Sequence, residues 1–99
     1  MATKMERSSG NVFRDLGFDA QEAENLRLRS ELMIHVRELI ERRRLTQAAA
    51  AKLFGVTQPR VSDLVRGRID LFSIDMLVKM LAQAGVQVRL VLKRRRHVA

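Results

Sequence analysis

The chain has no cysteine, which excludes disulfides and thiolate metal sites. That suits a reducing compartment, and a cytoplasmic location is expected. It has no Trp and no Tyr, and only four Phe. A protein that stacks single-stranded bases on aromatic platforms is therefore not expected. No apolar run approaches the roughly 20 residues needed to span a bilayer. The N-terminal stretch MATKMERSSG lacks the apolar centre of a signal peptide. Histidine occurs only at His35 and His97, there is no glycine-rich phosphate loop, and no HExxH pattern is present. The acidic residues are scattered along the chain. No enzymatic activity, metal site or cofactor is expected.

What remains is short, apolar enough to fold, and basic. Ninety-nine residues make one small domain with a modest core, and 46% are hydrophobic. The net charge of +8 is unevenly spread. Residues 1–41 carry six Lys/Arg and eight Asp/Glu. Residues 42–68 carry seven basic residues against the single acid Asp63. Residues 69–99 carry six basic and two acidic residues. A phosphate backbone favours such a basic block, because each neutralised phosphate releases condensed counterions.

Three parts are expected: an N-terminal arm at 1–20, a helical domain at 21–85, and a strand with a basic tail at 86–99. Residues 1–10 are polar. Val12, Phe13, Leu16 and Phe18 are too apolar for a free tail and should dock on this domain or on another chain. A long helix is predicted from about 20 to 43, with Asp19 as N-cap and an apolar stripe of Leu32, Val36, Leu39 and Ile40. Glu38 and Arg42 are spaced for an i,i+4 pair. Arg42, Arg43 and Arg44 either complement the helix dipole or face a nucleic acid. Ser73 should cap a further helix, with Asp75 in its first turn and Ile74, Leu77, Leu81 and Ala84 on its core side. Gly85 stops it. Val86, Val88, Leu90 and Leu92 then alternate with Gln87, Arg89, Val91 and Lys93, a strand pattern. No other strand is evident, so the partner must come from a second subunit, from another protein, or from residues 11–18. The second subunit is favoured.

The most informative stretch is LTQAAAAKLFGVTQPRVSDLVRGR, Leu45 to Arg68. A short helix begins at Thr46 or Gln47 and ends at Gly55. A second begins at Gln58 or Pro59, behind a Thr57 N-cap, and closes at Gly67. Val61, Leu64 and Val65 face inward, while Gln58, Arg60, Ser62 and Asp63 stay outside. This is a helix-turn-helix whose second helix suits the major groove of double-stranded DNA.

Leu45-Thr46-Gln47, Ala51, Gly55-Val56-Thr57-Gln58, Val61, Leu64 and Gly67 together resemble the XRE family, the helix-turn-helix proteins related to phage repressors and Cro. The resemblance covers about residues 32–85. It implies a mainly α, lambda-repressor-like bundle of about four to five helices, here followed by the C-terminal β-strand. By matching positions, Gln47 should bind a phosphate, and Gln58, Pro59 and Asp63 should touch base edges. Arg60 is an added candidate, since Arg pairs with guanine and Gln with adenine. Asp63 either accepts from cytosine N4 or orients Arg60 or Arg66. Arg66 and Arg68 are expected on the DNA backbone. One departure is clear: many members carry a phosphate-binding Arg where this chain has Ile40. Arg43 and Arg44 are the candidates to replace it.

The flanks carry a narrower resemblance. Ser9-Gly10-Asn11-Val12-Phe13-Arg14-Asp15-Leu16-Gly17 and Val86 to Leu92 look like those of small XRE-type antitoxins of HigA character. That implies neutralisation of a RelE/HigB-like toxin and repression of the shared operon. The alternative is a stand-alone, phage-derived repressor with no toxin partner. A homodimer is expected on separate grounds: one recognition helix reads only a few base pairs, and the orphan strand Val86 to Leu92 offers an interface. The basic run Lys93-Arg94-Arg95-Arg96-His97 is expected to be a solvated tail or a nucleic-acid arm. No membrane partner is expected.

Overall fold

The structure, a computed structural model, describes residues 11–94. Expectations placed on residues 1–10 and on Arg95, Arg96 and His97 lie outside those residues. Five α-helices occur among the described residues: α1 (Val12–Asp15), α2 (Ala20–Arg42), α3 (Gln47–Phe54), α4 (Gln58–Val65) and α5 (Ile74–Gln83). A single 3-10 turn, Ile69–Leu71, separates α4 from α5.

Side-chain caps set where the helices start. The Asp19 carboxylate accepts the Glu22 N–H at 2.8 Å. The Thr46 hydroxyl accepts that of Ala49 at 3.1 Å, Thr57 that of Arg60 at 3.3 Å, and Ser73 that of Met76 at 3.1 Å. Each satisfies a donor that has no partner inside its helix, worth about 1 kcal/mol. Gln58 is helical despite preceding Pro59, which settles the start of α4 one residue before the proline.

The helix ends share one closure. Phe18 N–H bonds the Phe13 carbonyl, Leu45 that of Ile40, Val56 that of Ala51, Arg68 that of Asp63, and Val86 that of Leu81. This six-residue loop-back needs a left-handed residue just before the closing donor. Gly17, Gly55, Gly67 and Gly85 supply it for α1, α3, α4 and α5. Arg44 supplies it for α2.

The core lies where α2, α3, α4 and α5 meet. Val36, Ala50, Phe54, Val61, Leu64, Phe72 and Leu77 are buried there, with Met80 and Leu81 beside them. In the predicted stripe of α2, Val36 and Ile40 are buried and Leu32 and Leu39 are partly so. Ile40 is thus a core residue. The charged face of α2 carries Arg27 between Glu24 at 2.7 Å and Glu31 at 3.1 Å. The hydrogen bond to Glu24 holds the Arg27 guanidinium above its ordinary pKa, against desolvation and with help from both carboxylates. Glu38 stands 3.6 Å from His35, in place of the anticipated pair with Arg42. Both spacings are open to an exposed glutamate, and neither contact is worth much in water.

The chain ends correct the sequence reading. Within residues 11–18, Val12–Asp15 form the short helix α1, which packs on α2. The Asn11 side chain caps it, accepting the Phe13 N–H at 3.0 Å, and its amide donates to the Ala23 carbonyl at 3.3 Å. Phe13 and Phe18 meet edge to face at 6.3 Å. Val12 and Leu16 nevertheless remain 60% and 69% exposed. At the other end the expected C-terminal β-strand is not formed: residues 86–94 have no regular structure, and no strand occurs among the described residues. Val86 and Val88 pack on the core as the alternation requires, while Leu90, Val91 and Leu92 are at least 83% exposed. The pattern of alternating side chains is present, but a ladder needs a second backbone. One chain offers none here.

Candidate nucleic-acid interface

Only Gly55, Val56 and Thr57 separate α3 from α4. Gly55 turns the chain at φ 70°, and Thr57 restarts the helix. The turn is close enough to α5 that a β-carbon on Gly55 would stand 3.2 Å from Gln83 Cγ. α4 is fixed inward by Val61 and Leu64, each 1% exposed. With 100° per residue, that leaves Pro59, Ser62, Asp63 and Arg66 on the opposite side. Pro59 and Arg66 are exposed, and Ser62 and Asp63 are half-buried. Gln58 is exposed at the first position of the helix.

The remaining site candidates divide by position. Gln47 is half-buried at the first position of α3. Thr57 is exposed, but its hydroxyl is used as the α4 cap. Asp63 lies 3.9 Å from Arg66 at the end of its own helix. Arg68 is exposed at the start of the 3-10 turn. Arg42, Arg43 and Arg44 are exposed where α2 ends, just before the Thr46 cap of α3. The geometry therefore joins a short exposed helix face to flanking arginines at Arg66 and Arg68. Among the described residues no helix is long and apolar enough to cross a membrane.

A family model described as a helix-turn-helix domain matches residues 12–93. A solved chain described as an XRE family transcriptional regulator matches with a TM-score of 0.71 and 32% identity, over 79% of this chain and 91% of that one. This chain belongs to the XRE helix-turn-helix family. No curated protein matches it.

In this XRE chain one expected reader is otherwise engaged. The Arg60 guanidinium donates to the Leu71 carbonyl at 3.1 Å and lies 5.5 Å from the centre of the Phe72 ring. From the other side, Arg29 of α2 donates to the carbonyls of Ile69 and Phe72, each at 3.2 Å. Its Nε donates to Asn25 Oδ1 at 2.8 Å, which fixes the guanidinium. Sequence reasoning missed Arg29 altogether. Its only signal is a cation in register with the buried Leu26, Met33 and Val36 of the same helix, which says nothing of a loop 40 residues away.

Proposed function

We propose that this protein is a sequence-specific DNA-binding transcriptional regulator that works as a homodimer and serves as the antitoxin of a type II toxin–antitoxin module. The observation that carries the DNA reading is the outer face of α4. It presents Gln58, Pro59, Ser62, Asp63 and Arg66 within the chain's most basic segment. A helix with polar groups on one side enters the major groove, and its flanking cations meet phosphates. Gln47, Arg66 and Arg68 take the phosphate role, and Gln58, Pro59 and Asp63 take the base edges. The relative described as an XRE family transcriptional regulator supports this reading.

Two further features support the partners. A groove of about 780 Å³ lies between α2, α5 and residues 86–91, lined by Leu28, Leu32, Leu39, Ile74, Val78 and Leu90 among others. Leu90 and Val91 line it and are exposed, and the exposed Leu92 follows them in the chain. An apolar groove beside an apolar projection is self-complementary, and a second copy related by a two-fold axis covers both. At the opposite end of the sequence, Val12, Leu16 and Phe18 are exposed beside Asp15, Asp19 and Glu22. An apolar patch among acids fits a basic, RNA-cleaving toxin of RelE/HigB type.

The deciding experiment measures binding of the purified chain to DNA upstream of its own gene, over a salt series, with scrambled duplex as control. Specific binding that weakens steeply with salt is expected. Equal affinity for both duplexes would sink the regulatory reading. Co-expression with the product of the neighbouring gene tests the antitoxin role. Lack of rescue there, with operator binding intact, favours the stand-alone repressor.

A further inference from the structure

We propose that Arg60 is a positioning residue: together with Arg29 it clamps the 3-10 turn after α4, and it does not read a base. The proposal rests on the DNA-binding reading above and changes which residues carry it.

The argument begins with where Arg60 lies on its helix. Four residues of α-helix turn the chain by about 40° past a full circle. Arg60 therefore sits about 40° from the buried Leu64, on the flank that faces the protein. Pro59 and Arg66 occupy the far side. A guanidinium on that flank meets the turn Ile69–Leu71 and the Phe72 ring, and both contacts are formed. Phe72 is only 2% exposed, so the cation closes over a core aromatic. Reaching a base edge would break a charge-assisted hydrogen bond and uncover that ring.

Donors from outside hold the turn. It has no side-chain cap, and its own bonds use the amides of Leu71 and Phe72. The Leu71 carbonyl accepts from Arg60, the Phe72 carbonyl from Arg29, and the Ile69 carbonyl from Arg29 as well as from the Phe72 N–H within the turn. One donor comes from the reading helix and one from α2. The turn is thereby held to both, and α4 is tied to α2 through it. Arg68 begins this turn and Arg66 ends α4, so the clamp sets where both cations stand. It also sets the angle at which Gln58, Ser62 and Asp63 are offered.

The test compares Arg60→Met and Arg29→Met in the full chain. Arg60→Lys is the conservative control, because lysine keeps a donor for the Leu71 carbonyl. Binding to a pool of operators varied one base pair at a time gives the preference at each position. Hydrogen exchange gives the protection of the Leu71 and Phe72 amides without DNA. Both methionine variants are expected to lower affinity by roughly tenfold on every operator in the pool, with the order of preferred bases kept. Both should speed exchange of the two amides by roughly tenfold, and Arg60→Lys should do less of each. A loss of preference at one base pair in Arg60→Met that Arg29→Met does not share makes Arg60 a base reader and overturns the proposal. Unchanged exchange in Arg60→Met overturns the clamp itself. If the wild-type chain prefers no sequence, the DNA reading fails, and the exchange result alone then decides whether the clamp exists.

Discussion

Arg44 takes at the end of α2 the left-handed conformation that Gly55 takes at the end of α3, φ 53° against 70°. Glycine adopts it freely. A side chain with a β-carbon pays about 1–2 kcal/mol, because that carbon crowds the following carbonyl. Strain kept at an exposed position points to a use for the side chain, here its charge beside the proposed interface. Arg44→Gly is expected to stabilise the fold by about 0.5–1 kcal/mol, seen as a higher midpoint in thermal melting. The same variant should bind its operator more weakly, with the salt slope smaller by about 1. Lower stability, or an unchanged slope, removes the role assigned to Arg44.

Gly55→Ala should act in the opposite sense. The positive φ costs about 1–2 kcal/mol, and the new β-carbon must also displace Gln83. Gln83→Ala in the same chain frees the space but leaves the backbone strained. The double variant is therefore expected to recover only part of the loss in thermal melting. Full recovery would make the contact, and not the backbone, the reason for glycine.

On the reading face, Gln58→Ala is expected to cost about 1–3 kcal/mol at the preferred operator and to relax the preference at one base pair in each half-site. Arg66→Ala should weaken all duplexes alike and lower the salt slope by about 1. Fluorescence anisotropy over the operator pool separates the two behaviours. A uniform loss from Gln58→Ala would move it to the phosphate class.

For the dimer, Leu90→Asp places a charge on the segment proposed to meet a second copy. Leu90 is 83% exposed in the single chain, so folding should be little affected. Sedimentation at micromolar concentration is expected to show association in the wild type and mostly monomer in the variant. Undiminished association points to a different interface.

For the toxin contact, Val12→Asp and Leu16→Asp together remove the apolar character of α1 with little effect on a core they barely touch. Operator affinity is expected to persist while rescue of cells from the neighbouring toxin is lost. Continued rescue places the toxin on another surface.

The helical part of this fold was legible because its boundaries are local. Asp19, Thr46, Thr57 and Ser73 bond amides three residues ahead, and Gly55, Gly67 and Gly85 bend the chain where they stand. Short-range chemistry of that kind is written in adjacent letters. Asn11 before Val12-Phe13-Arg14-Asp15 carried the same kind of signal for α1, hidden by the brevity of the helix. The destination of Arg60 was not legible, since it depends on where a turn 11 residues later comes to rest. The segment 86–92 showed the right alternation, but a sheet is a property of two backbones, and only one was in the sequence.

Inside α4 the residues that hold the helix and those offered outward are different residues. Val61 and Leu64 answer to the core, while Gln58, Pro59, Ser62 and Asp63 answer to whatever lies outside. Mutational drift can therefore act on the two sets separately. On the proposed DNA reading, exchanging the outer residues is expected to retarget the protein to another sequence without unmaking the domain, so a gene duplicate of such a regulator can acquire a new target through a few surface changes.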